Sequence, residues 1–169
     1  LLKQAPLTAD EAIRIAREVG AALDHAHRAG IVHRDIKPEN ILFADGMALL
    51  TDFGVARACD LVGAPPRDGA SRTEVTTPGL VLGTPSYMSP EQAAGDRDVG
   101  ATSDVYSLGV VVYEMLVGRP PFVGASPQSV MMRHVTEAPP PLRTVRPEIP
   151  LAVEAAVLRA LAKDPAQRF

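Results

Sequence analysis

The chain has 169 residues, enough for one domain with its own core, and 46% hydrophobic and 22% charged residues are typical of a globular protein. A net charge of −3 gives no reason to expect nucleic-acid binding. A single cysteine, Cys59, excludes an internal disulfide and a metal site built from several thiolates.

The first predicted element is a helix over 7–30. Thr8 is placed to cap it, and Glu11 three residues later completes a capping box. Gly30 is predicted to end it. The apolar positions that follow the helical period are Ile13, Ala16, Val19, Leu23 and Ala26. These residues are therefore expected to face the core.

Short apolar segments follow at 31–32, 41–43 and 48–51, and each is a strand candidate. The dipeptide Asp45-Gly46 separates the last two and predicts a hairpin turn. From 58 to 82 the periodicity disappears, and this stretch is predicted to be a long loop.

Helical patterns return after residue 100. A helix over 103–118, capped by Thr102 or Ser103, is apolar on nearly every side and is therefore predicted to be buried. Shorter helices are predicted over 128–136 and 151–162, the second ended by Asp164-Pro165. The order of elements predicts a mostly helical α+β domain with a small β-hairpin. No apolar run approaches the length of a membrane span.

Three oxygen-bearing side chains lie around the predicted hairpin. Asp35 follows the 31–32 segment, Asn40 comes five residues later, and Asp52 comes directly after the hairpin. Carboxylate and carboxamide oxygens are ligands of Mg²⁺, which shares its other positions with phosphates and water. Lys37 adds a positive charge beside the same space. This combination is typical of phosphoryl transfer, in which catalysis consists mainly of positioning and charge neutralisation.

The motifs around these residues resemble those of one enzyme family. HRDIKPEN, DFG and GTPSYMSPE are similar to the catalytic loop, the magnesium loop and the end of the activation segment of eukaryotic-type (Hanks-type) protein kinases. GIVHRDIKPENIL and ALAKDPAQRF resemble the bacterial serine/threonine kinases of that family. The resemblance covers essentially the whole chain. It implies the large, C-terminal lobe of a protein kinase, with the hairpin at the catalytic cleft and an activation segment over 52–91.

The resemblance implies a role for each matching residue. Asp35 would accept the proton of the substrate hydroxyl, and Lys37 would stabilise the transferred phosphoryl group. Thr84 would bridge these two and favour a Ser or Thr substrate. The residues implied in cofactor binding are Lys37, Glu39, Asn40, Leu42 and Asp52. Of these, Asn40 and Asp52 would bind the metal, and Leu42 would lie beneath adenine. The implied cofactors are ATP and Mg²⁺, with Mn²⁺ as an alternative ion, and the implied partners are proteins with Ser or Thr hydroxyls.

Other matches imply structural roles. Asp104 would hold the backbone around His33 and Arg34, and His33 would pack against Phe53. An arginine before the catalytic aspartate is typical of kinases whose activation loop is ordered by a phosphate, which would give Arg34 a bidentate partner.

The activation segment carries the remaining implied sites. Glu91 would pair with Arg168 near the end of the chain. The candidate phosphorylation sites are Thr76 and Thr77, followed by Thr73 and Ser71.

The sequence contains no G-x-G-x-x-G loop and no lysine of the V-A-I-K kind. We therefore expect residues 1–169 to form a partial kinase domain without the small lobe and the final helix, and the missing lobe to be its partner. Because poor alignment of reactants costs orders of magnitude in rate, the isolated chain is expected to have little or no activity. The lobe is expected in the cytoplasm, with any membrane anchor of the parent beyond Phe169.

Two other functions remain open at this point. One is a catalytically silent lobe that acts as a docking module; the intact Asp35, Lys37, Asn40 and Asp52 argue against it. The other is a small-molecule phosphotransferase of kinase-like fold, which would usually lack the GTPSYMSPE segment. His134 stands alone in the sequence and is predicted to lie on the surface.

Overall fold

The computed structural model describes residues 6–53, 85–96 and 98–169. Within these ranges the regular elements are α1 (Ala9–Arg28), β1 (Ile41–Ala44), β2 (Met47–Leu50), α2 (Pro90–Ala94), α3 (Ala101–Val117), α4 (Pro127–Thr136) and α5 (Leu151–Ala160). Short 3₁₀ turns lie at Pro38–Asn40, Pro85–Tyr87, Leu142–Thr144 and Pro165–Gln167. The prediction of a mostly helical α+β fold with one small antiparallel hairpin is confirmed. In the ranges described, no helix combines the length and the apolar character needed to cross a membrane.

Helix α1 begins with the predicted capping box. The Thr8 hydroxyl accepts a hydrogen bond from the Glu11 backbone N–H at 3.3 Å, and the Glu11 carboxylate accepts one from the Thr8 backbone N–H at 3.1 Å. The buried face consists of Ala12, Ile15, Val19, Leu23 and Ala26. The prediction that Ile13 shares this face is wrong. Its side chain is 38% exposed because it precedes Ile15 by two residues, which places it about 200° away around the helix.

The predicted hairpin is confirmed, with Ile41 opposite Leu50 and Leu42 opposite Leu49. Asp45 and Gly46 both have positive φ angles, 51° and 78°, as the tightest hairpin turns require. One face of the hairpin packs on α1 through the buried Ile41 and Ala48. The opposite face leaves Leu42 52% and Leu49 44% exposed.

Residues 31–32 do not form a strand, so that prediction is wrong. Gly30 adopts a φ of 73°, and the Ile31 N–H then donates to the carbonyl of Ala26 at 2.9 Å. The backbone donor that a strand would have used therefore completes the end of α1 instead.

Helix α3 is buried over most of its length and packs against α1 on one side and α5 on another. Its N-cap is Gly100, so the prediction of Thr102 or Ser103 is wrong. The Ser103 hydroxyl, within the first turn, donates to Glu91 at 2.5 Å. Gly109 allows the close approach of α5: a Cβ at this position would lie 2.9 Å from the Cβ of Ala160.

The remaining helices differ in detail from their predicted bounds. Helix α4 is capped by Ser126, and α5 ends at Ala160, two residues before the predicted end. Helix α2 was not among the predicted elements, although the sequence carries its signal. Ser89 and Gln92 form a capping box around a first-turn proline.

Candidate active site

The segment between α1 and β1 is held by one buried carboxylate. Asp104, in the first turn of α3, accepts hydrogen bonds from the backbone N–H groups of His33 and Arg34, both at 2.8 Å, and from Nε2 of His27 at 2.7 Å. Arg34 has a φ of 68°, an uncommon conformation for a residue with a side chain. Two charge-assisted hydrogen bonds to the same carboxylate stabilise that backbone conformation.

Asp35, Lys37 and Asn40 lie together at the end of this segment. Nζ of Lys37 is 2.5 Å from Oδ2 of Asp35. Nδ2 of Asn40 donates to the backbone carbonyl of Asp35 at 2.8 Å and lies 3.3 Å from Oδ2. The intervening Ile36 and Pro38 are buried, so the alternation of the extended chain turns Asp35 and Lys37 away from the core. The segment thus presents a carboxylate beside an ammonium group at the surface.

Thr51 connects this cluster to Asp52 and Phe53. Its backbone N–H and its hydroxyl donate to the carbonyl of Asn40 at 2.9 and 3.2 Å. Its own carbonyl lies 2.8 Å from Nε2 of His33. The His33 ring packs edge-on against Phe53, with ring centroids 4.8 Å apart. The pattern of the sequence did not single out Thr51, which brings the two motifs together.

The oxygen atoms near this junction fit a hard divalent cation. Asn40 uses its amide nitrogen to bind Asp35, and no described residue donates a hydrogen bond to its side-chain oxygen. Asp52 follows Thr51 directly, is exposed, and has a φ of 63°. A carboxamide oxygen and a carboxylate are the donor set that Mg²⁺ takes when phosphates and water complete its coordination. Across the described ranges, no three His, Cys, Asp or Glu side chains converge on one point that could hold a metal.

A turn at Pro85–Tyr87 and helix α2 lie beside the segment between α1 and β1. Gln92 of α2 donates to the carbonyl of Arg34 at 2.7 Å, one residue from Asp35. The Tyr87 hydroxyl donates to Glu114 of α3 at 2.7 Å. Burial and the nearby negative charge of Glu39 raise the pKa of Glu114, although the bond from Tyr87 acts in the opposite sense. The turn is therefore bonded to α3, and α2, which follows it, is bonded to the segment between α1 and β1.

Glu91 and Arg168 form a buried bidentate pair, with N–O distances of 2.7 and 3.0 Å. Arg168 also donates to the backbone carbonyls of Thr102, Ala162 and Lys163. Burial acts to raise the pKa of Glu91, but hydrogen bonds from Arg168 and Ser103 outweigh it and lower the pKa below its ordinary value. This pair joins α2 to the chain after α5.

His134 is fully buried, so the prediction of a surface histidine is wrong. It lies on the inner face of α4, one turn after the buried Val130, and packs edge-on against Phe122. Nε2 lies 3.1 Å from the carbonyl of Ser86, and Nδ1 lies 2.9 Å from the Tyr106 hydroxyl. Burial, and secondarily the charge of Lys163, lowers the pKa of His134 to about 4. The ring is therefore neutral at physiological pH and carries its proton on Nε2, since a carbonyl can only accept.

Several residues singled out from the sequence lie outside the described residues. They are Thr84 and the candidate phosphorylation sites Ser71, Thr73, Thr76 and Thr77. Leu42 and Glu39 are exposed beside the cluster. The structure thus brings Asp35, Lys37 and Asn40 into direct contact and joins them to Asp52 through Thr51.

Comparison with known proteins agrees with these motifs. The family model described as "Protein kinase domain" matches residues 1–169. The chain is 46% identical over 165 residues to "Serine/threonine-protein kinase PknB" of Mycobacterium leprae and 44% identical over 167 residues to the protein of that name in Mycobacterium tuberculosis. It is 39% identical over 168 residues to "Probable serine/threonine-protein kinase PknB" of Lactococcus lactis.

These alignments cover 97%, 98% and 99% of this chain but 25% of each relative. The chain therefore spans about a quarter of the length of the curated relatives that it matches. The family match over residues 1–169 and the identities to three named kinases establish the family of this chain. The chain belongs to the protein kinase family, in the bacterial branch of the eukaryotic-type (Hanks-type) serine/threonine protein kinases.

Proposed function

We propose that this chain carries the catalytic residues of a serine/threonine protein kinase, which transfers the γ-phosphoryl group of ATP to Ser and Thr hydroxyls of proteins. The observation that supports this most directly is the Asp35, Lys37 and Asn40 cluster, joined through Thr51 to Asp52. A positioned carboxylate, an ammonium group and two oxygen ligands for a metal are the parts that phosphoryl transfer requires.

In this proposal each side chain has one task. Asp35 orients the substrate hydroxyl and accepts its proton. Lys37 lies 2.5 Å from Asp35 and neutralises charge on the transferred group. Asn40 and Asp52 hold Mg²⁺, or Mn²⁺ in its place, and the bound ion supplies positive charge to the phosphates. Thr84 completes the acceptor side by bridging Asp35 and Lys37, which favours Ser and Thr over Tyr.

The exposed face of the hairpin is the proposed floor of the nucleotide site. Leu42 and Leu49 lie opposite each other and are about half exposed, and Met47 on the same face is 56% exposed. Leu42 lies beneath adenine in this proposal. The exposed apolar face also gives the lobe that completes the cleft a surface on which to pack. Residues 1–169 are accordingly proposed to act as the large lobe, with an activation segment over 52–91.

The direct test is a phosphoryl-transfer assay with the full-length natural protein. Three peptides that differ only in having Ser, Thr or Tyr at the acceptor position are incubated with labelled ATP. We expect labelling of the Ser and Thr peptides, its loss when EDTA removes the metal, and its return with Mg²⁺ or Mn²⁺. The chain 1–169 expressed by itself is expected to label them little or not at all.

Labelling of the Tyr peptide alone would contradict the assignment to the serine/threonine class. Transfer to small molecules but to no peptide would favour the small-molecule alternative. Nucleotide binding without any transfer by the full-length protein would favour the silent docking module.

A phosphate on the activation segment is the proposed partner of Arg34. Among the described residues, the buried Nε of Arg34 has no hydrogen-bond partner, and Nη2 reaches only the carbonyl of Val99 at 3.4 Å. A phosphorylated threonine would offer this guanidinium a charge-assisted bidentate contact. Thr76 and Thr77 are the proposed sites, with Thr73 and Ser71 after them.

Replacing both Thr76 and Thr77 by Ala is expected to lower the activity of the full-length protein about tenfold, because Arg34 loses its charged partner. The measurement is the initial rate together with phosphopeptide mass spectrometry of the 58–82 segment. Thr136→Ala, at an exposed position of α4, is the control and should change neither result. An unchanged pattern of phosphopeptides in the double variant would remove these two threonines from the proposal.

A further inference from the structure

The Pro85–Tyr87 turn is held from two helices of the domain. From α3, the Ser107 hydroxyl donates to the carbonyl of Tyr87 at 2.7 Å, and Glu114 accepts from the Tyr87 hydroxyl at 2.7 Å. From α4, Nε2 of His134 donates to the carbonyl of Ser86 at 3.1 Å. The bond from His134 is the side-chain hydrogen bond that ties α4 to this turn in the described ranges.

The orientation of the His134 ring is fixed from its other side. Lys163 lies 3.3 Å from the Tyr106 hydroxyl and 2.6 Å from the carbonyl of His134. Because the ammonium group can only donate, the Tyr106 hydroxyl accepts from it and gives its own proton to Nδ1 of His134. Nε2 is thereby left as the donor to Ser86. Both nitrogens of the ring therefore have a partner. Lys163 donates to Tyr106, Tyr106 donates to His134, and His134 donates to Ser86.

The turn follows Thr84 directly in the sequence, and the proposed function assigns Thr84 to the acceptor side of the site. Gln92 of α2, which follows the turn, donates to the carbonyl of Arg34 beside Asp35. Tyr87 and Glu114 are close enough to Glu39, on the Pro38–Asn40 turn, for its charge to raise the pKa of both groups. A displacement of the Ser86 carbonyl would therefore move backbone that adjoins the proposed acceptor side of the site.

We propose that His134 is a positioning residue for the protein substrate: its Nε2–H fixes the carbonyl of Ser86 and, through it, the Pro85–Tyr87 turn on which the acceptor peptide lies. This inference rests on the proposed kinase function. A histidine that only filled space beside Phe122 would need neither a defined proton position nor a carbonyl partner. The nucleotide side of the site is held through Asn40 and Thr51 and is independent of this bond.

The test separates the hydrogen bond from the shape of the ring. In the full-length natural protein, His134→Phe keeps a ring but removes the donor, whereas His134→Gln keeps an N–H at nearly the position of Nε2. We expect His134→Phe to raise the KM for a Ser/Thr peptide about five- to tenfold, the scale of one lost hydrogen bond, with the KM for ATP changed less than about twofold. His134→Gln should recover most of the peptide KM.

Two further variants keep the test decisive. Tyr106→Phe removes only the hydroxyl that orients the ring, and we expect a rise in peptide KM of about two- to threefold. If His134→Phe does not fold, Tyr106→Phe is the test of the proposal, and an unchanged peptide KM in Tyr106→Phe would overturn it. His25→Asn, at an exposed position of α1, is the control and should leave both KM values unchanged.

The outcomes distinguish this inference from the proposed function. Equal changes in the KM for ATP and for peptide, or equal effects of Phe and Gln at position 134, would show a merely structural histidine and overturn the inference alone. If the unsubstituted protein phosphorylates no Ser or Thr peptide, the proposed function fails, and this inference fails with it.

Discussion

Replacing Asp35 by Asn in the full-length natural protein is expected to lower kcat for Ser/Thr phosphorylation by about 10²- to 10⁴-fold, the usual contribution of a positioned general base. Asparagine is nearly isosteric but cannot accept the hydroxyl proton. It also removes the carboxylate that lies 2.5 Å from Nζ of Lys37. The rate is measured by single-turnover transfer to a peptide, and nucleotide affinity by titration with a fluorescent ATP analogue.

The affinity for nucleotide is expected to change only a few-fold, because Asn40 and Asp52 are left intact. Asp24→Asn provides the matched control, since among the described residues this exposed carboxylate of α1 pairs only with Arg28, one turn along the same helix. A kcat for Asp35→Asn within about threefold of the unsubstituted protein would show that Asp35 is not the base. A large loss of nucleotide affinity would instead assign Asp35 to the metal site.

The elements that follow from local rules were predictable from the sequence. The capping box at Thr8 and Glu11 and the Asp45-Gly46 turn depend on backbone groups within a few residues, so their short patterns are sufficient. The failure at 31–32 has a cause close in the sequence. Because Gly30 has a φ of 73°, the N–H of Ile31 donates to the carbonyl of Ala26 and completes the end of α1. An apolar pair by itself does not distinguish this arrangement from a short strand.

The site was predictable where a family motif records it and not where packing alone decides it. Asp35, Lys37 and Asn40 lie within one motif, and the structure brings them into contact. The burial of His134 depends on which face of α4 meets Tyr106 and Phe122, and a single histidine carries no sign of that. The sequence did carry one indication of burial: His134 is four residues after Val130, which places both side chains on the same face of α4.

The contact between Asp104 and the segment between α1 and β1 shows how the buried polar groups act together. Its carboxylate is distant in sequence from His33 and Arg34, yet it accepts hydrogen bonds from both backbone N–H groups and stabilises their conformation. Glu91 and Arg168 join α2 to the chain after α5, and α2 binds the carbonyl of Arg34 through Gln92. The candidate site is therefore connected to ionic contacts in the interior of the domain as well as to residues at its surface.

The second large effect is expected at the buried pair. Arg168→Met should destabilise the domain by about 3–5 kcal/mol, because it leaves the Glu91 carboxylate buried without its partner. The side chain of Arg168 is 0% exposed and that of Glu91 9% exposed, so water cannot replace the lost contact. The measurement is amide hydrogen exchange of the full-length natural protein, read on peptides from α3 and α5, which reports the opening of this domain and not of any other part.

A matched exposed pair separates burial from charge. Arg133 and Glu137 are 3.6 Å apart on the surface of α4, with about half of each side chain exposed, and Arg133→Met should cost at most about 1 kcal/mol. The double variant Glu91→Gln with Arg168→Met removes the unpaired buried carboxylate and should recover part of the lost stability, because an unpaired neutral amide costs less to bury than a carboxylate.

If Arg168→Met were no more destabilising than Arg133→Met, the Glu91–Arg168 pair would contribute little to the stability of the fold. If the double variant were as unstable as the sum of its two single changes, the unpaired buried carboxylate would not be the cause, and the three backbone carbonyls that lose Arg168 would account for the loss.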